Sequence, residues 1–490
     1  MSGLTQVARR CEGWLQTRIA GWLLLILLGV WYGWAYAHHP LNPGEIPVEQ
    51  RAGWWSWSDQ YKYLRSAQTL AAGQVTPETY HYPLGYAALG APFVRWQPVH
   101  PFFVPNLLLM LATAACWWRL ARRWLPATAT VFVAAVFIAT HDELIGLTMV
   151  VPWNTLVTQC CLMTGLVLVL APPGRRIVWS LATLAAVAWW VRPVDALCFA
   201  PLLVVATLRL PTWRERTEAG FVGIAIIGVA AVGMGLLNHV VFGTWRTPYE
   251  QAAFTMVGFF DYPLGQKLYW TFVDGRPFFG ETDTALLRRY PWLFLAIPGL
   301  FFWVRREGWA GVAGVAATGL SWLLYLGYND FFPSSFYRFS LIHYVSWSFL
   351  PLLAVAAAAC WAGRRDRVVW AGVAVMLGAG VLAGGLQLEE RVLPALVKSG
   401  EVTALPVARP LWVRFQEAPL AEVGKLRLDG RAMFEAADYQ IPYVPSDLKV
   451  LLGQHARGTR LVAPGISVTP EVGDYRWSWR WSWARALRQD

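Results

Sequence analysis

Long, nearly uncharged runs of apolar residues recur along the whole chain and form its dominant pattern. A helix that crosses a bilayer needs about 20 such residues. On that guide, the sequence predicts eleven transmembrane helices, at 20–37, 100–118, 127–140, 151–171, 177–191, 195–208, 218–241, 291–304, 309–327, 341–362 and 368–386. Several runs are short, and the pair on either side of Arg192-Pro193 fits both two tilted crossings and a broken hairpin inside the bundle.

The composition excludes an ordinary soluble protein. Of the 490 residues, 56% are hydrophobic and only 14% are charged, whereas soluble domains carry about 25% charged residues. The apolar runs are too numerous for a signal peptide. The fold class expected from these observations is an all-α polytopic membrane protein.

A net charge of +11 raises the question of nucleic-acid binding, but the charge distribution indicates membrane topology instead. Sixteen Arg and only four acidic residues fall in six short stretches between apolar runs, at 1–19, 119–126, 172–176, 209–216, 305–308 and 363–367. Cytoplasmic loops carry this kind of basic excess. We therefore expect a cytoplasmic N-terminus, an outer C-terminus and no nucleic-acid partner.

With this topology, the large polar segments all lie on the outer face. We predict a transmembrane domain over 1–386, with outer loops at 38–99 and 242–290, and a small extracytoplasmic domain over 387–490. The stretches LWVRF and KVLLGQ in the second domain fit strands or short helices, so it is expected to be α/β or β-containing. The cytoplasmic loops are only turns and the chain has no GxxxxGK[ST] motif, which argues against an enzyme that uses nucleotides.

The cysteines and short motifs bear on the compartment. All six cysteines fall in predicted spans or on the inner side, so no disulfide framework is expected outside. The sequence has no CxxC, HExxH or N-x-[ST] motif. These features favour a bacterial inner (plasma) membrane, with membrane lipid as the surroundings. No metal site is predicted, although the use of a divalent cation stays open.

The first outer loop begins with a predicted helix that has an acidic residue near its start. Asp59, Tyr63 and Ala67 repeat at helical spacing after a Trp-rich stretch. A carboxylate held just above the membrane surface can act as a general base when a hydroxyl comes within hydrogen-bond reach. The alternative is that Asp59 only caps the helix.

Motifs in this loop and beyond it follow one another in a familiar order. They are Asp59 at a Trp-flanked helix start, Tyr80-His81-Tyr82-Pro83-Leu84-Gly85-Tyr86 leading to Leu89 and Pro92, Trp190-Val191-Arg192-Pro193, Asn238 to Gly243, Tyr290-Pro291 through Gly299-Leu300, and Phe336-Tyr337-Arg338. Their order and spacing resemble the GT-C superfamily of integral-membrane glycosyltransferases, including its protein O-mannosyltransferase and aminoarabinose transferase branches. The sequence departs from that pattern where Gln60 follows Asp59 and where Pro152-Trp153-Asn154-Thr155 opens the fourth span.

The resemblance implies a transferase that acts on the outer face. Its donor would be a polyprenyl-phosphate sugar, its acceptor a hydroxyl of a cell-envelope glycan, lipid or protein, and the reaction would invert the anomeric centre. Asp59 is then the expected general base, and Asp142 and Glu143 are further acidic candidates in the second outer loop. The candidates for binding the donor phosphate are Lys62, Arg65, Arg192, Lys267, Arg338 and His343. The acceptor and sugar pocket would include His81, Tyr82 and Tyr86.

Simpler roles exist for most of these side chains. Arg192 is spaced to pair with Asp195, while Arg338 at an interface fits a snorkelling side chain. Asp142 and Glu143 fit solvated loop charges. The histidines His81 and His343 fit packed, hydrogen-bonded residues as well as ligand contacts.

Two other functional classes stay in competition with the transferase. A flippase or transporter for lipid-linked glycans predicts inverted repeats, and we find no internal repeat in the sequence. A polysaccharide polymerase or ligase shares the many spans and the arginine sites. The first-loop Asp59 and the Tyr-Pro-x-Gly-Tyr segment are the features that argue against it.

Overall fold

The computed structural model describes residues 10–39, 41–46, 53–56, 58–252, 259, 264–273, 286–328, 340–363 and 374, together with short strands between 386 and 479. The described part is mostly helical. The chain divides into two compact units. The first comprises Met1–Ala253, Leu295–Leu324 and Ile342–Trp370, and the second Phe254–Phe294, Tyr325–Leu341 and Ala371–Asp490.

The longer helices lie at the positions that the apolar runs predicted. Up to residue 210 the described helices, long and short together, are α1 Arg18–Ala37, α2 Ser58–Ala71, α3 Gly85–Gly90, α4 Phe103–Ala121, α5 Ala127–Thr140, α6 Asp142–Ile145, α7 Thr155–Val169, α8 Arg175–Val191, α9 Pro193–Ala196 and α10 Ala200–Leu208. After residue 210 they are α11 Trp213–Phe242, α12 Pro248–Ala252, α13 Leu264–Phe272, α14 Leu286–Arg289, α15 Leu293–Glu307, α16 Trp309–Gly327, α17 Ser340–Val345 and α18 Phe349–Ala362. Short tighter or wider turns occupy Gly53–Ser56, Ala91–Phe93, Gly146–Val150, Leu197–Phe199 and Ser346–Ser348.

Within the described residues, five helical segments are long and apolar enough to cross a membrane: Arg18–Ala37, Phe103–Ala121, Trp213–Phe242, Trp309–Gly327 and His343–Ala362. Three shorter apolar helices join them, at Ala127–Ala139, Thr155–Val169 and Pro193–Leu208. These helices indicate a membrane protein. Every predicted span from the first to the tenth overlaps a helix, whereas the eleventh lies almost wholly outside the described residues. The number of crossings therefore stays a prediction.

The surface of α11 has the character expected of a helix in lipid. Phe221, Ile224 and Val240 are largely exposed although they are apolar, and such a face is stable only where the surroundings are apolar too. The helix begins with a capping box, in which the Thr212 hydroxyl accepts from the Glu215 N–H while the Glu215 carboxylate accepts from the Thr212 N–H. This arrangement satisfies two of the N–H groups that have no partner within the helix.

Residues 386–479 contribute antiparallel strands. Their bounds are β1 Leu386–Pro394, β2 Val402–Ala404, β3 Pro410–Phe415, β4 Ala418–Pro419, β5 Arg427–Leu428, β6 Arg431–Ala432, β7 Tyr443–Val444, β8 Lys449–Gln454, β9 Arg460–Val462 and β10 Val468–Trp479. One sheet has the order β1-β10-β3-β8, a second the order β2-β9-β5-β6, and β4 pairs with β7. In the first sheet, Leu386 lies opposite Trp479 and Pro394 opposite Glu471.

The LWVRF and KVLLGQ stretches are strands, β3 and β8, rather than short helices. The second unit holds the whole of the predicted C-terminal domain, 387–490. It also holds 254–294 and 325–341, which the sequence had assigned to the transmembrane domain. The domain boundary at residue 386 stays a prediction.

Helices α15 and α16 pack closely because small residues line their contact. Trp303 of α15 is fully buried, and Gly311 and Gly314 of α16 lie against it. A Cβ added at Gly311 would overlap the Trp303 carbonyl group and come within 2.9 Å of the Val304 Cα. Small residues at such contacts let two helix backbones approach each other.

We therefore expect Gly311→Ala to destabilise the protein. The added methyl group meets backbone atoms, which cannot rotate away, and overpacking of this kind costs about 1–3 kcal/mol of unfolding free energy. Gly319→Ala in the same helix is the matched control, since none of the described residues has an atom within 4 Å of its Cβ position. Thermal unfolding in lipid nanodiscs should show a lower midpoint for Gly311→Ala alone. Equal midpoints for the two variants would contradict this packing.

Candidate functional site

A break between two helices places an arginine inside the first unit. Pro193 has no N–H and disfavours a helical conformation at the residue before it. Arg192 accordingly leaves the helix with extended backbone angles (φ −151°, ψ 93°), and α9 starts at Pro193 itself. The Arg192 side chain is only 9% exposed, and its Nε lies 3.4 Å from Oδ2 of Asp195. The ion pair offered as the simpler role of Arg192 is therefore present.

Asp59 lies in the first turn of α2, as the helical spacing predicted. The positive end of the helix dipole favours a carboxylate there. The Tyr82 hydroxyl donates a hydrogen bond of 2.5 Å to Asp59 Oδ1. Burial, followed by the nearby Asp59 charge, holds the pKa of Tyr82 well above its ordinary value, so this phenol stays protonated and remains a donor.

Lys62 follows Asp59 by one helical turn and reaches the same segment. Its Nζ donates to Nε2 of His81 over 2.9 Å and lies 5.7 Å from the centre of the Tyr82 ring. Burial, then the Lys62 charge, lowers the pKa of His81 to about 3. A neutral His81 can accept from Lys62, which is the arrangement observed. The Tyr249 ring packs against both His81 and Tyr82, with centroids 5.4 and 4.7 Å away.

Gly85 explains the glycine of the Tyr-Pro-x-Gly-Tyr segment. A Cβ at this position would lie 2.5 Å from the Trp190 carbonyl oxygen and 2.8 Å from the Val191 side chain. Only glycine lets this loop lie directly against the last turn of α8. The segment that carries His81 and Tyr82 is thereby fixed beside Arg192.

The pKa of Tyr63 responds to both the carboxylate and the arginine. Burial holds its pKa well above the ordinary value, the charge of Asp59 raises it further, and the charge of Arg192 opposes that effect. Both charges therefore act on one phenol. The Tyr63 ring also contacts Tyr82 and Tyr86, each with centroids 5.1 Å apart.

A second group of rings continues from Tyr86 to Arg192. Tyr86 is fully buried. Its hydroxyl donates to Oδ1 of Asn106 over 3.1 Å and accepts from the backbone N–H of Trp153. The Trp153 ring stacks on His343, with centroids 4.0 Å apart. Next to His343, Tyr344 receives the Arg192 guanidinium over its ring at 5.0 Å. We name this set the outer cluster, because the predicted outer loops 38–99 and 242–290 supply most of it; its members are Asp59, Lys62, Tyr63, His81, Tyr82, Tyr86, Trp153, Arg192, Tyr249, His343 and Tyr344.

Seven of the twelve predicted site residues thus come together in one unit: Asp59, Lys62, His81, Tyr82, Tyr86, Arg192 and His343. Arg65 does not join them, since it is exposed on α2 and donates to Gln68 over 3.2 Å. At 100° per residue, it lies about 60° further round the helix than Lys62. Arg65 was expected near the donor phosphate because it falls within two turns of Asp59, and its face of the helix does not support that expectation.

The other predicted residues lie elsewhere or outside the described part. Lys267 belongs to the second unit, where its buried ammonium donates to the carbonyls of Leu326 and Tyr328 at 3.0 and 2.7 Å. Arg338 lies outside the described residues, as do the side chains of Asp142 and Glu143, whose backbone forms α6. Their predicted roles are untested. The described residues contain no group of three or more His, Cys, Asp or Glu that could hold a metal ion.

Five contributors were not predicted as site residues from the sequence: Tyr63, Trp153, Tyr249 and Tyr344 of the outer cluster, and Thr158. Trp153 and Tyr344 flank His343 and Arg192, and Thr158 donates to Oδ2 of Asp195 over 2.7 Å. Polar residues inside an apolar span are a functional signal, and Thr158 carried that signal. Tyr344 and Trp153 carried none, because interfacial aromatic residues are common in membrane proteins.

Comparisons with family models, with curated proteins and with solved structures find no match for this chain. The likeness to the GT-C superfamily therefore rests on the sequence motifs alone.

The neutral His81 predicts a dependence of stability on acidity. Its pKa is about 3 in the folded protein and about 6.5 in an unfolded chain. Between these values the unfolded state binds a proton that the folded state does not, so acidification favours unfolding. The contribution is complete above about pH 6.5 and is lost progressively as the pH falls toward the folded value.

We expect wild type to lose about 1–2 kcal/mol of unfolding free energy through His81 between pH 7.5 and pH 5, allowing for its partial solvent screening. His81→Gln keeps an acceptor for Lys62 but cannot titrate, so it should lose less stability over the same interval. Thermal unfolding of both proteins in nanodiscs at the two pH values measures the difference. Parallel losses would show that His81 is not the titrating group.

Proposed function

We propose that this chain is a membrane glycosyltransferase of the GT-C type. It transfers a sugar from a polyprenyl-phosphate carrier to an acceptor hydroxyl on the outer face of a bacterial inner membrane, with inversion at the anomeric carbon. In this proposal the chain crosses the membrane about eleven times, and residues 387–490 lie outside. The acceptor is a glycan, lipid or protein of the cell envelope.

The observation that carries the proposal is the joining of an acid–base group to cations within the outer cluster. The Asp59 carboxylate accepts a hydrogen bond from the Tyr82 hydroxyl. The Lys62 ammonium donates to His81 and lies over the ring of the same Tyr82. Arg192 lies close enough for its charge and that of Asp59 to act on the same phenol, Tyr63. Sugar transfer from a phosphate needs both kinds of group close to one another.

The proposed reaction assigns each group one task. The acceptor hydroxyl attacks the anomeric carbon and its proton passes to the Asp59 carboxylate. The bond from that carbon to the phosphate oxygen breaks, and polyprenyl phosphate leaves with the electron pair. Lys62 compensates the charge that grows on the phosphate oxygens, and Arg192 binds the phosphate equally in the bound donor and in the transition state, a task for which its planar guanidinium group is well shaped.

The aromatic members of the cluster support a carbohydrate as substrate. Tyr63 and Tyr249 pack against the ring of Tyr82, which donates to the Asp59 carboxylate, with ring centroids 5.1 and 4.7 Å away. Phenol and imidazole groups combine an apolar face with a polar edge, which suits a sugar that has both. His81 and Tyr82 are thus assigned to the sugar and acceptor side, and His343 to the side of Arg192.

Asp59→Asn should abolish most of the transfer. The amide keeps the size of the carboxylate but cannot take a proton from the acceptor, and loss of a general base lowers kcat about 10²–10⁴-fold. The assay is release of polyprenyl phosphate from a panel of radiolabelled polyprenyl-phosphate sugars by full-length protein in nanodiscs, with crude cell envelope as acceptor.

Glu218→Gln is the matched carboxylate-to-amide control. Glu218 lies near the start of α11, where it pairs with Arg214 and Arg175 at 2.7 Å, and Arg214 is largely exposed. Exposed pairs contribute little, so its turnover should equal that of wild type. Full turnover by Asp59→Asn would exclude Asp59 as the base and direct attention to Asp142 and Glu143. A folded wild type that releases no carrier from any donor would favour a flippase, or a polymerase or ligase.

A further inference from the structure

A chain of buried polar groups leads from Thr158 on α7 through Asp195 to Arg192, a member of the outer cluster. Asp195 is 1% exposed, and its Oδ2 faces both Nε of Arg192, at 3.4 Å, and the Thr158 hydroxyl, at 2.7 Å. Thr158 is also 1% exposed. The three side chains come from α7, from the helix break and from the first turn of α9, so the contact joins segments 37 residues apart in sequence.

The Thr158 hydroxyl has one hydrogen and two acceptors within reach. The carbonyl of Thr155 lies 3.1 Å away and the Asp195 carboxylate 2.7 Å away. Hydrogen bonds to an ionised acceptor are shorter and roughly twice as strong as those between neutral groups. The hydrogen therefore goes to Asp195, and the side chain of Thr158 is committed to the carboxylate.

Burying the Arg192–Asp195 ion pair costs desolvation free energy, so a defined position of the Arg192 charge is the expected reason for keeping it. Replacing a buried ion pair by apolar residues is often neutral or stabilising, because both charges lose their hydration. Here the pair directs the guanidinium toward Tyr344 and the outer cluster. Arg192 is in an extended conformation at a helix break, so its backbone alone does not fix where the side chain points.

We propose that Thr158 is a positioning residue that acts through Asp195 to hold the Arg192 guanidinium at the outer cluster. This inference rests on the proposed function in one respect only, the assignment of Arg192 to the donor phosphate. Thr158 itself is buried and is not assigned a contact with the substrate. Its hydroxyl fixes the rotamer of Asp195, and Asp195 then fixes the direction of the guanidinium before the donor arrives.

The chain offers a closely matched control one turn away. Thr155 lies on the same helix, is 2% exposed, and its Oγ1 has no hydrogen-bond partner among the described residues. Thr155→Val and Thr158→Val make the same chemical change in neighbouring buried positions. Only the second removes a hydrogen bond from Asp195. Thr158→Ser keeps the hydroxyl. Thr158→Ala removes the hydroxyl without placing a methyl group where it was.

The first readout needs no substrate. Full-length protein in nanodiscs is treated with phenylglyoxal, which modifies guanidinium groups, and the rate at Arg192 is followed by peptide mass spectrometry. Arg192 is nearly buried, so modification requires the side chain to leave its place. We expect Thr158→Val and Thr158→Ala to raise that rate about threefold or more. Thr155→Val and Thr158→Ser should react as wild type does.

The second readout is the transfer reaction. Thr158→Val should raise the KM for the polyprenyl-phosphate donor about tenfold or more, as expected for loss of a hydrogen bond to a charged group, and should leave kcat nearly unchanged. A general packing defect would instead lower the thermal midpoint and kcat together, and Thr155→Val would show it too.

An unchanged modification rate at Arg192 in both Thr158→Val and Thr158→Ala overturns the inference, as does an equal rise in Thr155→Val. If Thr158→Val frees Arg192 but the donor KM stays at the wild-type value, Arg192 does not bind the phosphate and that part of the inference fails. Failure of the proposed function has a different signature, in which folded wild type releases no carrier from any donor while the modification rates still separate Thr158 from Thr155.

Discussion

Proline at position 193 cannot continue the helix that ends at Val191, and this backbone constraint sets the position of the charges in the first unit. The helix must break at Arg192, because the proline ring disfavours helical angles there and supplies no N–H. The break exposes the Trp190 carbonyl oxygen to the loop at Gly85, which fits only because glycine has no Cβ. Arg192, Asp195, His81 and Tyr82 all take their places from this one interruption.

Charge burial is the second organising constraint. The Arg192–Asp195 pair lies in surroundings that strongly disfavour an isolated charge, so each member depends on the other and on polar neighbours such as Thr158. The partly buried charge of Lys62 is stabilised in a different way, by a neutral partner, His81. The His81 imidazole stays neutral and accepts a hydrogen bond from the Lys62 ammonium. Asp59, beside these groups, is only partly buried, so a hydroxyl can reach its carboxylate.

The aromatic residues give the cluster its rigidity. Rings of Tyr63, Tyr82, Tyr86 and Tyr249 contact one another at nearly ideal separations for aromatic pairs. Each phenol or imidazole is held by packing on one side and by a hydrogen bond or a charge on another. Rigid walls of this kind let a site hold a substrate without ordering many side chains when it binds.

The apolar runs alone predicted the membrane class and the positions of the helices as far as residue 362, because the length and polarity of a crossing are set locally by the bilayer. Asp59 and Lys62 on one turn, and the pair of Arg192 with Asp195, were also readable, since each depends on residues three apart. Sequence spacing did not show that Arg65 turns away while Thr158, Trp153 and Tyr344 approach. Those placements depend on how distant helices pack, and no local pattern of polar and apolar residues encodes the distance between segments that meet only in the folded protein.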